Sequence, residues 1–149
     1  MADFDADLAF GQQAEVDFLS RLPAGWDLSS DRRWDLVHED GRTLELKVER
    51  RPWSETHNVF FEHQVAGKPG GPWRALEDGV SLYVHLFHQP EPMALVWEDV
   101  EGLVGWCDDW LKTTRVWGHH IKTPWGVGVG FAVPWRSMTG RATPKVHWL

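Results

Sequence analysis

Cysteine is almost absent from this sequence, and Cys107 is its single thiol. An internal disulfide is therefore excluded. Because no secretion signal is recognisable either, we expect a protein of a reducing cytoplasm. Long apolar runs are missing as well. The apolar runs have the length of a strand, so we expect no membrane-spanning segment and no membrane partner.

Cations are scarcer than anions, with 15 Lys and Arg against 22 Asp and Glu and a net charge of −7. Proteins that coat nucleic acid without specificity are usually basic overall, so the balance argues against that class. An enzyme that contacts phosphates at one place is not excluded, because an acidic metal site contributes to the same sum. The length of 149 residues predicts one domain with a sizeable core.

Hydrophobic periodicity predicts an α/β domain with a mixed sheet. Helices are expected over Asp7–Leu22, around Pro72–Asp78 and over Glu98–Lys112. Strands are expected in five apolar or alternating segments, the first three of them in a meander. These segments are Trp34–His38, Thr43–Arg50, Asn58–Glu62, Ser81–Phe87 and Met93–Trp97. The Gly- and Trp-rich tail should add one or two more strands within residues 126–135.

The segment WDLVHEDGRTLELKVERR, residues 34–51, predicts a hairpin with an unusual polar face. A three-residue loop ending in Gly41 fits a type I turn followed by a left-handed residue. This register pairs Leu36 with Leu44 and would set Asp35 against Glu45. A two-residue loop would instead oppose Asp35 to Leu46 and mix both faces, so the three-residue loop is preferred.

Alternation then gives the hairpin one apolar face and one charged face. Leu36, Leu44, Leu46 and Val48 share the first, whereas Asp35, Glu45 and Lys47 share the second. Two carboxylates on directly opposed strand positions repel unless a positive charge lies between them. Hard oxygen ligands suit Mg²⁺ or Mn²⁺, and a lysine beside them could orient an attacking water. The alternative is a solvated sheet face in which Lys47 forms an ordinary ion pair.

Asp35 followed after nine residues by Glu45-Leu46-Lys47 resembles the signature of the PD-(D/E)XK nuclease superfamily, although Trp34 stands where proline often precedes the aspartate. The order of NVFFE (58–62), the Gly-Lys-Pro-Gly loop (67–70) and an apolar strand resembles small phage and prophage members, some of them Holliday-junction-resolvase-like. The resemblance spans about residues 8–97 and leaves 98–149 as a C-terminal elaboration. It implies a restriction-endonuclease-like αβββαβ core.

The resemblance also implies metal-dependent hydrolysis of DNA that leaves 5′-phosphates, with branched or structured DNA as the substrate and a possible homodimer. Asp35, Glu45 and the Leu46 carbonyl would be the metal ligands, and Lys47 the catalytic lysine. Glu15 would be an accessory ligand, directly or through water. A non-catalytic DNA- or protein-binding relative and an exonuclease on the same core are the alternatives. If the protein is phage-encoded, its compartment would be the host cytoplasm.

Several side chains near these motifs are candidates for phosphate contacts. The arginine pairs 32–33 and 50–51 flank the two hairpin strands, and Lys68 and Arg74 flank the glycine-rich loop. The expected DNA-binding residues are Arg33, Arg50, Arg51, Lys68 and Arg74. Glu62 could reach the charged face or lie at its solvent rim, and His63 could contact a phosphate. The loop lacks the GxxxxGK[ST] spacing of a nucleotide cradle, so no nucleotide cofactor is expected.

Overall fold

The computed structural model describes residues 4–49, 51–113, 119–123 and 126–149. Its helices are α1 (Phe4–Leu19), α2 (Trp53–Thr56), α3 (Gly71–Glu77) and α4 (Val100–Thr113), with short 3-10 turns at Trp135–Ser137 and Gly140–Ala142. Its strands are β1 (Trp26–Leu28), β2 (Leu36–His38), β3 (Thr43–Glu49), β4 (Asn58–Val65), β5 (Lys68–Pro69), β6 (Leu82–Phe87), β7 (Met93–Trp97), β8 (His119–Thr123), β9 (Gly126–Pro134) and β10 (Lys145–Trp148).

The strands form two sheets. A six-stranded mixed sheet has the order β1-β2-β3-β6-β7-β10, and a four-stranded sheet has the order β5-β4-β9-β8. In the larger sheet, β3 and β6 are the parallel pair, and the chain between them passes through α3. The predicted α/β class with a mixed sheet is confirmed.

Two apolar layers cover the two faces of the larger sheet. One face packs against α1, where Ala14 and Phe18 meet Leu36, Leu44 and Leu46. The other face packs against the smaller sheet and the helices α3 and α4. Its cluster includes Phe61, Phe131, Tyr83, Trp97 and Leu103. Most of the large aromatic side chains lie in this second layer, where they bury the greatest area per residue.

The predicted hairpin is confirmed in its turn and register. Leu36 pairs with Leu44, the His38 N–H donates to the Arg42 carbonyl at 2.8 Å, and Gly41 has a φ of 95°. A left-handed residue at the end of a three-residue loop restores the strand direction, and glycine adopts it without a Cβ clash.

The predicted meander is wrong in its third strand. Asn58–Val65 pairs with Gly126–Pro134 in the smaller sheet, and the free edge of β3 is taken by β6. The strand that completes the meander is Trp26–Leu28, which precedes β2 and was not predicted. The cause is non-local. The NVFFE segment pairs with β9, about 70 residues later in the chain, and not with the neighbouring strand β3.

The helix predictions differ from the structure mainly at their ends. The first helix ends at Leu19 rather than Leu22, and Arg21 and Leu22 continue it only through short turn hydrogen bonds. Within the described part of the chain, no helix is both long and apolar enough to cross a membrane.

Candidate functional site

The polar face of β3 carries an ion pair at the edge of the aromatic core. The Lys47 Nζ lies 2.9 Å from the Glu45 Oε1, and the two side chains are 42% and 19% exposed. The residues between and before them, Leu46 and Leu44, are 5% and 1% exposed on the opposite face. Alternation along one strand therefore separates a buried apolar layer from a pair of accessible charges.

Asp35 is held against the backbone of β3 by two hydrogen bonds. Its N–H donates to the Leu44 carbonyl at 3.0 Å, and its Oδ2 accepts the Leu46 N–H at 2.7 Å. Asp35 thus lies one residue outside β2, and the ladder ends at the Leu36–Leu44 pair, one pair short of the predicted Asp35–Glu45 pair. The Asp35 carboxyl is nevertheless brought beside Glu45 along the edge of β3.

The Leu46 backbone is directed toward the same place. In a strand, the N–H and C=O of one residue point to the same neighbour, and the Leu46 N–H points to Asp35. The Leu46 carbonyl is therefore directed to the Asp35 side of β3. Two carboxylates and this carbonyl form a set of hard oxygen donors of the type that Mg²⁺ and Mn²⁺ prefer.

Glu15 reaches the site from α1 and hydrogen-bonds to Asp35. Burial, together with the Asp35 carboxyl, raises the pKa of Glu15 to about 7. Burial and the Glu45 carboxylate raise the pKa of Asp35 to about 6, although the Leu46 N–H and Lys47 act in the opposite direction. Crowded carboxyls therefore retain a proton close to neutral pH, because their like charges repel.

Lys47 and Tyr83 interact electrostatically with these carboxyls. Burial opposes protonation of Lys47, but Glu45, Tyr83 and Asp35 outweigh it and raise the pKa of the amine above its usual value. Tyr83 is the parallel partner of Glu45 and is 1% exposed, and burial raises the pKa of its hydroxyl. Sequence reasoning treated Tyr83 only as part of an apolar strand, since the β3–β6 register is not visible locally.

A pocket of about 110 Å³ opens above these groups. One wall comes from the hairpin side of the larger sheet and contains Arg32, Arg33, Asp35, Glu45 and Lys47. The opposite wall comes from β4, β5 and the start of α3, with Glu62, Val65, Pro69, Gly70, Gly71 and Arg74. The charged residues of the hairpin thus face a second wall that the simple meander would not have provided.

Glu62 is one of the predicted accessory residues that the structure brings into this pocket. The backbone around it is closely packed. A Cβ on Gly71 would lie 2.4 Å from the Glu62 carbonyl oxygen, and a Cβ on Gly70 would lie 3.2 Å from the Glu62 Cγ. Glycine at 70 and 71 therefore lets the start of α3 approach β4 at the place where Glu62 enters the pocket.

Two of the predicted DNA-binding arginines also line the pocket, but each has an acidic partner. The Arg33 guanidinium lies 2.7 Å from Asp31 and 4.4 Å from the centre of the Trp34 ring. The Arg74 Nε lies 3.4 Å from Asp78, which lines the same pocket. Arg32, which the sequence suggested only as a member of the 32–33 arginine pair, lines the pocket as well, and Asp78 does so without having been predicted.

The remaining predicted contacts lie away from the pocket or outside the described residues. The His63 ring packs edge-on against Trp73, with centroids 4.4 Å apart. Lys68 is exposed on β5 and Arg51 is exposed after β3, and the pocket is lined by neither. Arg50 lies outside the described residues.

The acidic groups do not form a dense metal cage. Among the residues that the structure describes, no three His, Cys, Asp or Glu side chains form a group that could hold a metal ion. Asp35, Glu45 and the Leu46 carbonyl are the oxygen donors that could bind a cation at this pocket. Mg²⁺ in phosphoryl-transfer sites is commonly bound by one or two carboxylates and keeps several waters.

Comparisons with known proteins gave no relative: no family model, no curated protein and no solved structure matches this chain.

Proposed function

We propose that the protein is a Mg²⁺- or Mn²⁺-dependent deoxyribonuclease that hydrolyses phosphodiester bonds in DNA. The observation that carries this proposal is the convergence of Asp35, Glu45 and Lys47 at one pocket. The Asp35 carboxyl is fixed to the β3 backbone, and the Lys47 amine lies 2.9 Å from Glu45. A solvated face with one ion pair would not require a partly buried aspartate beside a second carboxylate, with a pKa raised to about 6.

The order of elements supports a nuclease core of the PD-(D/E)XK type. The elements α1, β1, β2, β3, α3 and β6 follow one another as αβββαβ, and their strands are adjacent in the order β1-β2-β3-β6. The short helix α2 and the hairpin β4–β5 are then an insertion between β3 and α3. On this assignment, Asp35 directly precedes β2 and the Glu45-Leu46-Lys47 triplet lies in β3, and these are the neighbouring strands that would carry the superfamily signature.

The residues have separate roles in the proposed reaction. Asp35, Glu45 and the Leu46 carbonyl would hold the cation, which when bound would polarise the phosphoryl oxygen and lower the pKa of a bound water. Lys47 orients the attacking water and offsets the charge that develops on the phosphate. Glu15 positions Asp35 through their hydrogen bond. The water oxygen bonds to phosphorus, the bond to the 3′-oxygen breaks and a proton from the water passes to that oxygen, which leaves a 3′-hydroxyl and a 5′-phosphate.

The substrate is proposed to be branched or otherwise structured DNA, cut internally, and a homodimer would supply two symmetric cuts. Both statements rest on the resemblance to resolvase-like nucleases. The pocket itself supports the phosphodiester chemistry, because its walls combine carboxylates with arginine and lysine side chains.

The test is cleavage of a plasmid, a synthetic four-way junction, a flap, a duplex and a single strand, each with Mg²⁺, Mn²⁺ or EDTA. We expect metal-dependent cleavage that is lost in Lys47→Ala and retained in Lys68→Ala, a matched control because Lys68 lies outside the pocket. Tight DNA binding without cleavage in either metal would favour a non-catalytic protein. Cleavage of linear but not of circular DNA would favour an exonuclease.

A further inference from the structure

The cations of the pocket differ in whether they already have a partner. Lys47 is paired with Glu45, Arg33 with Asp31 and Arg74 with Asp78. Arg32 also lines the pocket and is exposed. Within the part of the chain that the structure describes, its guanidinium takes part in no ion pair, hydrogen bond or ring contact.

The turn that carries Arg32 is fixed relative to the proposed metal ligand. The Ser29 N–H donates to the Asp35 carbonyl at 2.9 Å, and the Ser29 hydroxyl accepts the Asp31 N–H at 3.0 Å. Asp31 in turn accepts the Arg33 N–H at 3.0 Å and binds its guanidinium. This network directs Arg33 to Asp31 and ties the turn to Asp35, so Arg32 starts from a defined position beside the site.

We propose that Arg32 is the phosphate-binding residue of the pocket and grips a backbone phosphate of the strand that is cut. The inference rests on the proposed nuclease function and names the residue that positions its substrate. A free guanidinium presents donors in a planar fork that matches two phosphate oxygens. Arg33 would have to leave both Asp31 and the Trp34 ring to do the same, which makes it the weaker phosphate ligand.

The test compares Arg32→Ala with Arg42→Ala, a matched control that removes the same side chain from an exposed arginine that is paired with Asp40 and lies outside the pocket lining. Binding of a fluorescent single strand and of a labelled junction is measured by anisotropy, with Ca²⁺ as a hard cation of equal charge. We expect Arg32→Ala to raise the Kd about 10-fold and to reduce the salt slope of binding by about 1. The effect of Arg42→Ala should stay within about 2-fold.

A second readout separates a binding role from a structural one. In Mg²⁺, Arg32→Ala should raise KM about 10-fold and leave kcat within about 2-fold, because a backbone contact held throughout the reaction contributes uniform binding. Arg32→Lys should restore the salt slope but only part of the affinity, since an ammonium lacks the planar fork. Equal thermal midpoints in all three variants would establish that the fold is intact.

The outcomes separate this inference from the nuclease proposal. If the wild-type protein cleaves DNA and both arginine variants bind alike, the role of Arg32 is overturned and the nuclease proposal stands. If the wild-type protein binds DNA through Arg32 but cleaves nothing in any metal, the nuclease proposal fails and the role of Arg32 stands. If the wild-type protein neither binds nor cleaves DNA, both are overturned.

Discussion

The two faces of β3 have opposite environments, and consecutive residues of the strand alternate between them. Leu44 and Leu46 are almost fully buried against α1, whereas Glu45 and Lys47 line a pocket on the other side. The apolar face contributes to stability through burial. Beside the polar face, the Asp35 carboxyl has a pKa that is raised by burial and by the Glu45 carboxylate. One strand therefore supports the fold on one side and the candidate chemistry on the other.

Because the two faces differ, mutations on them should have different effects. A truncated leucine leaves a cavity and removes contacts, so it should lower the free energy of unfolding. A neutralised carboxyl on the polar face removes like-charge repulsion, so it should abolish activity without loss of stability. Sites that keep such repulsion are expected to be functional, because local rules are otherwise satisfied in natural folds.

The largest expected effect is on activity, from Asp35→Asn. The amide oxygen can still accept the Leu46 N–H, but the negative charge is lost from the proposed cation site. We expect kcat/KM for DNA cleavage to fall by about 10²–10³-fold, comparable to the removal of one key electrostatic group. The free energy of unfolding in EDTA should be unchanged or higher. If Asp35→Asn lost activity because the protein unfolded, the result would contradict the expectation that the polar face serves activity and not stability.

Leu44→Ala should have the largest effect on stability. Leu44 is 1% exposed in the layer under α1, and leucine truncation in such cores lowers the free energy of unfolding by about 2–5 kcal/mol. Urea denaturation monitored by tryptophan fluorescence measures the change. The fraction that remains folded should cleave DNA at the wild-type rate. A well-folded Leu44→Ala protein with little activity would contradict the expectation that the apolar face of β3 contributes only to stability.

Gly71→Ala extends the comparison to the second wall of the pocket. Gly71 has a φ of 46°, and a Cβ there would lie 2.4 Å from the Glu62 carbonyl oxygen. The left-handed conformation and the clash together should lower the free energy of unfolding by about 2–4 kcal/mol. Gly79→Ala is the control: its φ is 73° with no atom within 4 Å of the added Cβ, so about 1 kcal/mol is expected. Equal losses would show that the close approach at Glu62 is unimportant.

The smallest expected effect is the pH dependence of stability in EDTA. The pKa values of Asp35 and Glu15 are raised in the fold to about 6 and about 7, so the folded state binds protons more tightly than the unfolded state. Their protonated forms favour folding at low pH, and this stabilisation should be lost as pH rises from about 4 through 7. Shifts of this size would correspond to about 3 kcal/mol per group, but both groups are partly exposed, so solvent screening should reduce the total to about 1–2 kcal/mol. Asp35→Asn should flatten the profile, and the exposed Glu77→Gln should leave it unchanged.

Local sequence patterns were sufficient for the hairpin and its two faces. The turn length, the position of Gly41 and the alternation of Leu44 to Lys47 each follow from a few neighbouring residues. These local features also bring Asp35 close to Glu45. The extra hydrogen bonds of Asp35 to Leu44 and Leu46 shift it out of the ladder, and a regular register cannot anticipate that shift.

Features that depend on distant pairing could not be predicted. Trp26–Leu28 is a strand of three residues, too short for a periodic signal. Asn58–Val65 pairs with a segment about 70 residues later, and this pairing brings Glu62 to the pocket. The Arg32 guanidinium is without an ion-pair partner among the described residues because Asp31 binds Arg33 instead. The two arginines are adjacent and identical in type, so the sequence does not tell which of them Asp31 binds. The geometry of the turn decides it.

Calorimetric titration of Mn²⁺ into the protein tests whether Asp35 and Glu45 bind one cation together. We expect a binding site in the wild-type protein that is lost in Asp35→Asn and in Glu45→Gln and kept in Glu77→Gln. Equal Mn²⁺ affinity in all four proteins, or no Mn²⁺ binding by the wild-type protein in the presence of DNA, would contradict this expectation.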